Sequence, residues 1–134
     1  MTTVPFGPQL IGETEKTLTA LLRGFLADTG LTEPQWVALR VAQLTVPGGT
    51  EELVRAVTDR AHFPDARELV AGLSKRGLFG DGRLTPEGAA TIASVLDASE
   101  RATGGLWREH PASDLEATTR VLNTVLARAR ALLT

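Results

Sequence analysis

Apolar positions recur along this chain at helical spacing in six separate runs, and one short interval breaks the rhythm. From about Ile11 to Asp28, the residues Ile11, Leu18, Leu21, Leu22, Phe25 and Leu26 fall on one face of a first helix, which Gly30 ends. Pro5 and Pro8 make residues 1–10 an irregular arm. Thr32-Glu33-Pro34-Gln35 pairs a capping hydroxyl with a glutamine three residues on and opens a second helix, carrying Trp36, Val37, Leu39, Val41 and Leu44 inward. Pro47-Gly48-Gly49 stops it. A third helix runs from Thr50 to about Ala61 with Leu53, Val54 and Val57 inward, and His62-Phe63-Pro64 is the turn after it. Asp65 caps a fourth helix whose buried face is Ala66, Leu69, Val70 and Leu73, and Gly77 closes it.

The break follows. Leu78-Phe79 and Arg83-Leu84 flank Gly80-Asp81-Gly82, and aspartate followed by glycine is a strong hairpin signal. Thr85-Pro86-Glu87 then starts a fifth helix with a capping hydroxyl, a proline in the first turn and an acid near the positive helix end. This helix weakens at Gly104-Gly105 and ends by Pro111. Ser113-Asp114-Leu115-Glu116 reads as a capping box for a last helix bearing Leu115, Leu122, Val125, Leu126, Ala129, Leu132 and Leu133 on one face. The fold class is therefore mainly α with a small β-hairpin. Helix, hairpin, helix in that order is what a winged helix-turn-helix needs, with N- and C-terminal helices left for dimerisation. The apolar stripes of the end helices are wider than the middle of the chain can cover, which predicts a symmetric homodimer.

Composition narrows the function. At 134 residues and 43% hydrophobic content the chain can build one core. No run approaches the roughly 18 apolar residues of a membrane span, so no membrane partner is expected. The opening MTTVPFGPQ lacks the basic flank and apolar block of a secretory signal. There is no cysteine, which fits a reducing cytoplasm and removes thiol chemistry. His62 and His110 stand far apart without acids at ligand spacing, so no metal or other cofactor is expected. No nucleophile elbow or Gly-rich phosphate loop suggests an enzyme.

Net charge is −2, and Thr50 to Gly88 holds seven acids against six bases, a weak electrostatic footprint for nucleic acid. A few placed cations would then have to carry any DNA contact. Arg67 is placed to read guanine or to pair with a nearby acid. Lys75 and Arg76 end the fourth helix, where they suit both its negative terminus and phosphates. Arg83 faces either a minor-groove backbone or Asp81. Trp36 and Trp107 are the only tryptophans: Trp36 lies on an apolar stripe, and Trp107 near a helix end.

LTEPQWVALR (Leu31 to Arg40), ELVAGLSKRGLF (Glu68 to Phe79) and RLTPEGAATI (Arg83 to Ile92) together resemble the MarR family of bacterial transcriptional regulators. The resemblance spans about Ile11 to the end. It implies a single domain over 1–134, with 1–31 and 86–134 as dimerisation helices and 32–85 as the winged helix-turn-helix. It also implies a homodimer on double-stranded DNA, contacting it through Arg67, Lys75, Arg76 and Arg83, and a small, perhaps aromatic, effector between the two parts. Trp36, Arg40, His62, Trp107 and Arg23 are the effector candidates. Family wings are longer and carry paired arginines, whereas here a single arginine follows Gly80-Asp81-Gly82. The other reading is a MarR-like fold without DNA binding, a small-molecule binder or enzyme in which His62 is the one evident general base.

Overall fold

The computed structural model describes residues 3–134. Among them are six helices and one two-stranded sheet: α1 (Pro8–Leu26), α2 (Glu33–Thr45), α3 (Thr50–Ala61), α4 (Ala66–Lys75), β1 (Phe79–Gly80), β2 (Arg83–Leu84), α5 (Pro86–Arg108) and α6 (Ala112–Leu132). No helix is long and apolar enough to cross a membrane among these residues. The chain divides into two compact units, one up to Ala98 and one from Ser99 to Thr134.

The local signals were mostly obeyed. Thr32 closes a capping box, its hydroxyl accepting from the Gln35 amide while Gln35 Oε1 accepts from the Thr32 amide. Thr85 Oγ1 accepts from the Gly88 amide and caps α5. The hairpin pairs Phe79 with Leu84 and Gly80 with Arg83 in antiparallel register. Its loop is the dipeptide Asp81-Gly82, with φ of 54° and 77°, the pair of positive values that a tight type I′ connection requires.

Several expectations need correction. Pro8 does not block α1 but begins it: the first helical position needs no amide hydrogen, and proline's fixed φ suits it. That helix ends at Leu26, and a turn rather than helix leads to Gly30. Helix α5 runs unbroken through Gly104 and Gly105 to Arg108, since glycine inside a helix costs only about 1 kcal/mol against alanine. Ser113 is not a cap, because α6 starts one residue earlier with Pro111 at its N-cap. Asp65 does precede α4, but its side chain accepts no capping hydrogen bond.

In the first unit, the apolar faces of α2, α3, α4 and the start of α5 converge. Leu39, Leu53, Val57, Val70, Leu73, Ile92 and Val95 are its largest fully buried side chains, with Trp36, Leu78 and Phe79 beside them. Each such residue is worth roughly 1.5–3 kcal/mol of burial. This core holds α4 against α3 and α2 and fixes where β1 leaves α4. One position works against stability. Val46 ends α2 in the left-handed region at φ 46°, an unfavourable conformation for a β-branched residue. Its side chain is exposed, so nothing apolar is lost on replacement. Val46→Asn is expected to raise stability by about 1 kcal/mol, read as a higher urea midpoint with unchanged m-value; a lower midpoint would show that valine is favoured there.

The second unit offers a contrast. None of the residues of α6 is buried. Leu106, Trp107, Val121, Leu122, Val125, Leu126, Leu132 and Leu133 are all exposed.

Candidate nucleic-acid interface

The four cations singled out from the sequence lie on or next to α4 and the hairpin, and they differ in what they hold. Helix α4 buries Ala66, Val70 and Leu73 and turns Arg67, Ala71, Ser74 and Lys75 outward, as helical periodicity requires of a one-sided helix.

Arg67, in the first turn of α4, forms a two-pronged pair with Glu51 in the first turn of α3: Nη1 donates to Oε1 at 2.8 Å and Nη2 to Oε2 at 3.0 Å. The hydrogen bonds and the charge of Arg67 hold the Glu51 carboxyl below its ordinary range, and Glu51 in turn raises the guanidinium's. Both side chains are open to solvent, at 61% and 71% exposure, so water and salt screen the pair and it contributes little stability. Glu51, Glu52, Asp65 and Glu68 crowd the first turns of α3 and α4 or their caps, where they favour the helix dipoles but oppose phosphate.

Arg76 follows α4 and reaches back across the fold. Its Nη2 donates to the Thr29 carbonyl at 2.9 Å and its Nη1 to the Gly30 carbonyl at 3.3 Å. The last turn of α4 is thereby tied to the turn joining α1 and α2. Arg83 does not pair with Asp81. Its Nη2 donates to the Gly48 carbonyl at 2.7 Å, tying β2 to the loop between α2 and α3. The hairpin tip sits on that same loop: a Cβ at Gly82 would lie 2.2 Å from the Gly49 carbonyl carbon and the Thr50 nitrogen. Only glycine allows backbone to approach backbone this closely. The Lys75 side chain is exposed and makes no hydrogen bond or ion pair among the described residues.

The effector candidates are dispersed. Trp36 is buried in the core, and Arg40 bonds to Gln43 one turn along α2. His62 is exposed at the left-handed cap of α3. Trp107 lies in the second unit, half-exposed. Arg23 lines a cleft of about 330 Å³ with Leu26, Ala27, Gly30, Leu31, Thr32 and Glu33, and its Nη2 stands 3.6 Å from Glu33 Oε2. None of the other four effector candidates lines this cleft. No group of three or more His, Asp and Glu side chains among the described residues would hold a metal.

The partners of the arginines were missed by sequence reasoning. Glu51 is 16 positions from Arg67, Gly48 is 35 from Arg83, and Thr29 is 47 from Arg76. Spacing rules see pairs three or four apart on one helix, and backbone carbonyls carry no sequence signature. No protein-family model matches the chain, and neither a curated protein nor a solved structure matches it.

Proposed function

We propose that this protein is a homodimeric, MarR-like winged helix-turn-helix regulator that reads duplex DNA through α4 and answers a small effector. The observation that carries the reading is the placement of α4. It is anchored on one face by Ala66, Val70 and Leu73, preceded by α3 across a short turn, and followed by the hairpin that leads into α5. Its other face is open, with Lys75 unengaged. That is the arrangement a recognition helix needs to enter a major groove. The cleft beside Arg23, with apolar Leu26 and Leu31 in its wall, suits a small amphipathic effector.

The homodimer rests on the second unit. A segment below about 40 residues rarely sustains a core without help, and the apolar stripe of α6 has no cover of its own. A second copy supplies matching surface by two-fold symmetry.

A second reading is favoured by a different observation: Arg67, Arg76 and Arg83 all hold acceptors within the chain. On that reading the fold binds a small molecule or a protein and leaves DNA alone. Gel shifts separate the two. On random-sequence duplex, Lys75→Ala is expected to weaken binding to all sequences alike and lower the salt slope by about 1. No shift at low salt, or a shift that Lys75→Ala leaves untouched, would favour the second reading.

A further inference from the structure

We infer that Glu51 acts as a built-in competitor for DNA, occupying on Arg67 the place that a backbone phosphate would take. The inference rests on the regulator reading and adds a control to it. The three engaged arginines are not alike. Arg76 and Arg83 donate to backbone carbonyls of turns that the fold needs, and no ligand can move those acceptors aside without unmaking the turns. Arg67 is held by a side chain instead. Glu51 is exposed, on the first turn of a neighbouring helix, and free to rotate away when a better anion arrives.

The geometry matches an anion exchange. A carboxylate presenting two oxygens to the two Nη groups at 2.8 and 3.0 Å makes the same fork that arginine makes with two phosphate oxygens. Two of the guanidinium's five N–H donors are used in it. The pair is solvent-exposed and cheap to break, whereas a phosphate contact releases a counterion and gains affinity as salt falls. Glu51 therefore does not abolish contact by Arg67; it subtracts one cation from the surface until the duplex outcompetes it. In the free protein Arg67 is thereby neutralised, which lowers further the positive charge that an almost neutral segment presents to DNA.

The test is fluorescence anisotropy on a random-sequence DNA duplex across a salt series, with wild type, Glu51→Gln, Glu68→Gln and Lys75→Ala. Glu51→Gln frees Arg67. Glu68→Gln removes the same unit of charge one residue along α4 and leaves the pair intact, so it reports the general field. The expected result is about five- to tenfold tighter binding for Glu51→Gln, with a log–log salt slope close to that of the wild type because Arg67 meets phosphate in both complexes, and under about twofold for Glu68→Gln. Equal gains from both glutamines would overturn the inference, because field alone would then account for them. Weaker binding by Glu51→Gln would also overturn it and show that Glu51 presents Arg67 to DNA. Binding that Lys75→Ala does not change is a separate failure, that of the α4 reading itself. Absence of binding in both wild type and Glu51→Gln at low salt removes the inference together with that reading.

Discussion

Gly82→Ala is expected to destabilise the protein by about 3 kcal/mol, lowering its melting temperature by about 10 °C. Two costs add. Gly82 sits at φ 77°, where an L-residue with a side chain pays roughly 1–2 kcal/mol. The new methyl would also lie 2.2 Å from the Gly49–Thr50 peptide, and backbone on both sides must move to admit it. The shift would tear at the Arg83 contact with Gly48, because both belong to the same seat of the hairpin on the α2–α3 loop. Gly80→Ala is the internal comparison. Its Cβ would meet only the Thr85 methyl at 3.5 Å, an ordinary contact, and its φ is not positive, so a loss below about 1 kcal/mol is expected. Thermal melts of the two variants decide the matter. Equal, small losses would mean that the hairpin does not press on that loop, and its docking would have to be abandoned.

The second large effect is on assembly. Replacing Leu122 and Leu126 together by glutamate is expected to convert dimers to monomers in sedimentation equilibrium, with a dissociation constant raised at least about a thousandfold. The two residues are one helical turn apart, on one face of α6, and exposed in the single chain. If a second copy covers them, the change forfeits roughly 2 kcal/mol of burial for each leucine, and every 1.4 kcal/mol is a factor of ten. Burying like charges across a two-fold axis adds to the loss. In the separated chain the same positions face water, so the monomer should keep its helical circular dichroism. A wild-type chain already monomeric at micromolar concentration, or a variant dimer as tight as the wild type, would remove α6 from the interface.

The elements were legible because their signals are local. Apolar spacing located all six helices, Thr32 and Thr85 announced two caps, and Asp81-Gly82 announced the hairpin. The errors fell where one residue has two local meanings. Pro8 forbids the inside of a helix and favours its first position; Ser113 followed by Glu116 looks like a cap wherever the helix truly starts; Gly104 and Gly105 weaken a helix without ending it. The site was legible only as a set of cations. What each cation holds is decided by tertiary packing: α3 brings Glu51 to Arg67, the α1–α2 turn comes to Arg76, and the hairpin's own shortness brings Arg83 down on Gly48. Those contacts change the meaning of the residues. Arg76 and Arg83 are clamps of the fold, and on the proposed regulator reading that leaves Lys75 and a releasable Arg67 as the α4 cations for a duplex.

The reading of α4 as a DNA-facing helix is tested most directly by selecting duplexes from a randomised library with the wild-type protein and with an Arg67→Ala, Lys75→Ala double variant. Enrichment of an inverted repeat, with half-site centres about 10 base pairs apart, that the double variant fails to recover is the expected result. A wild-type pool that stays random, or one the double variant enriches equally, would contradict it.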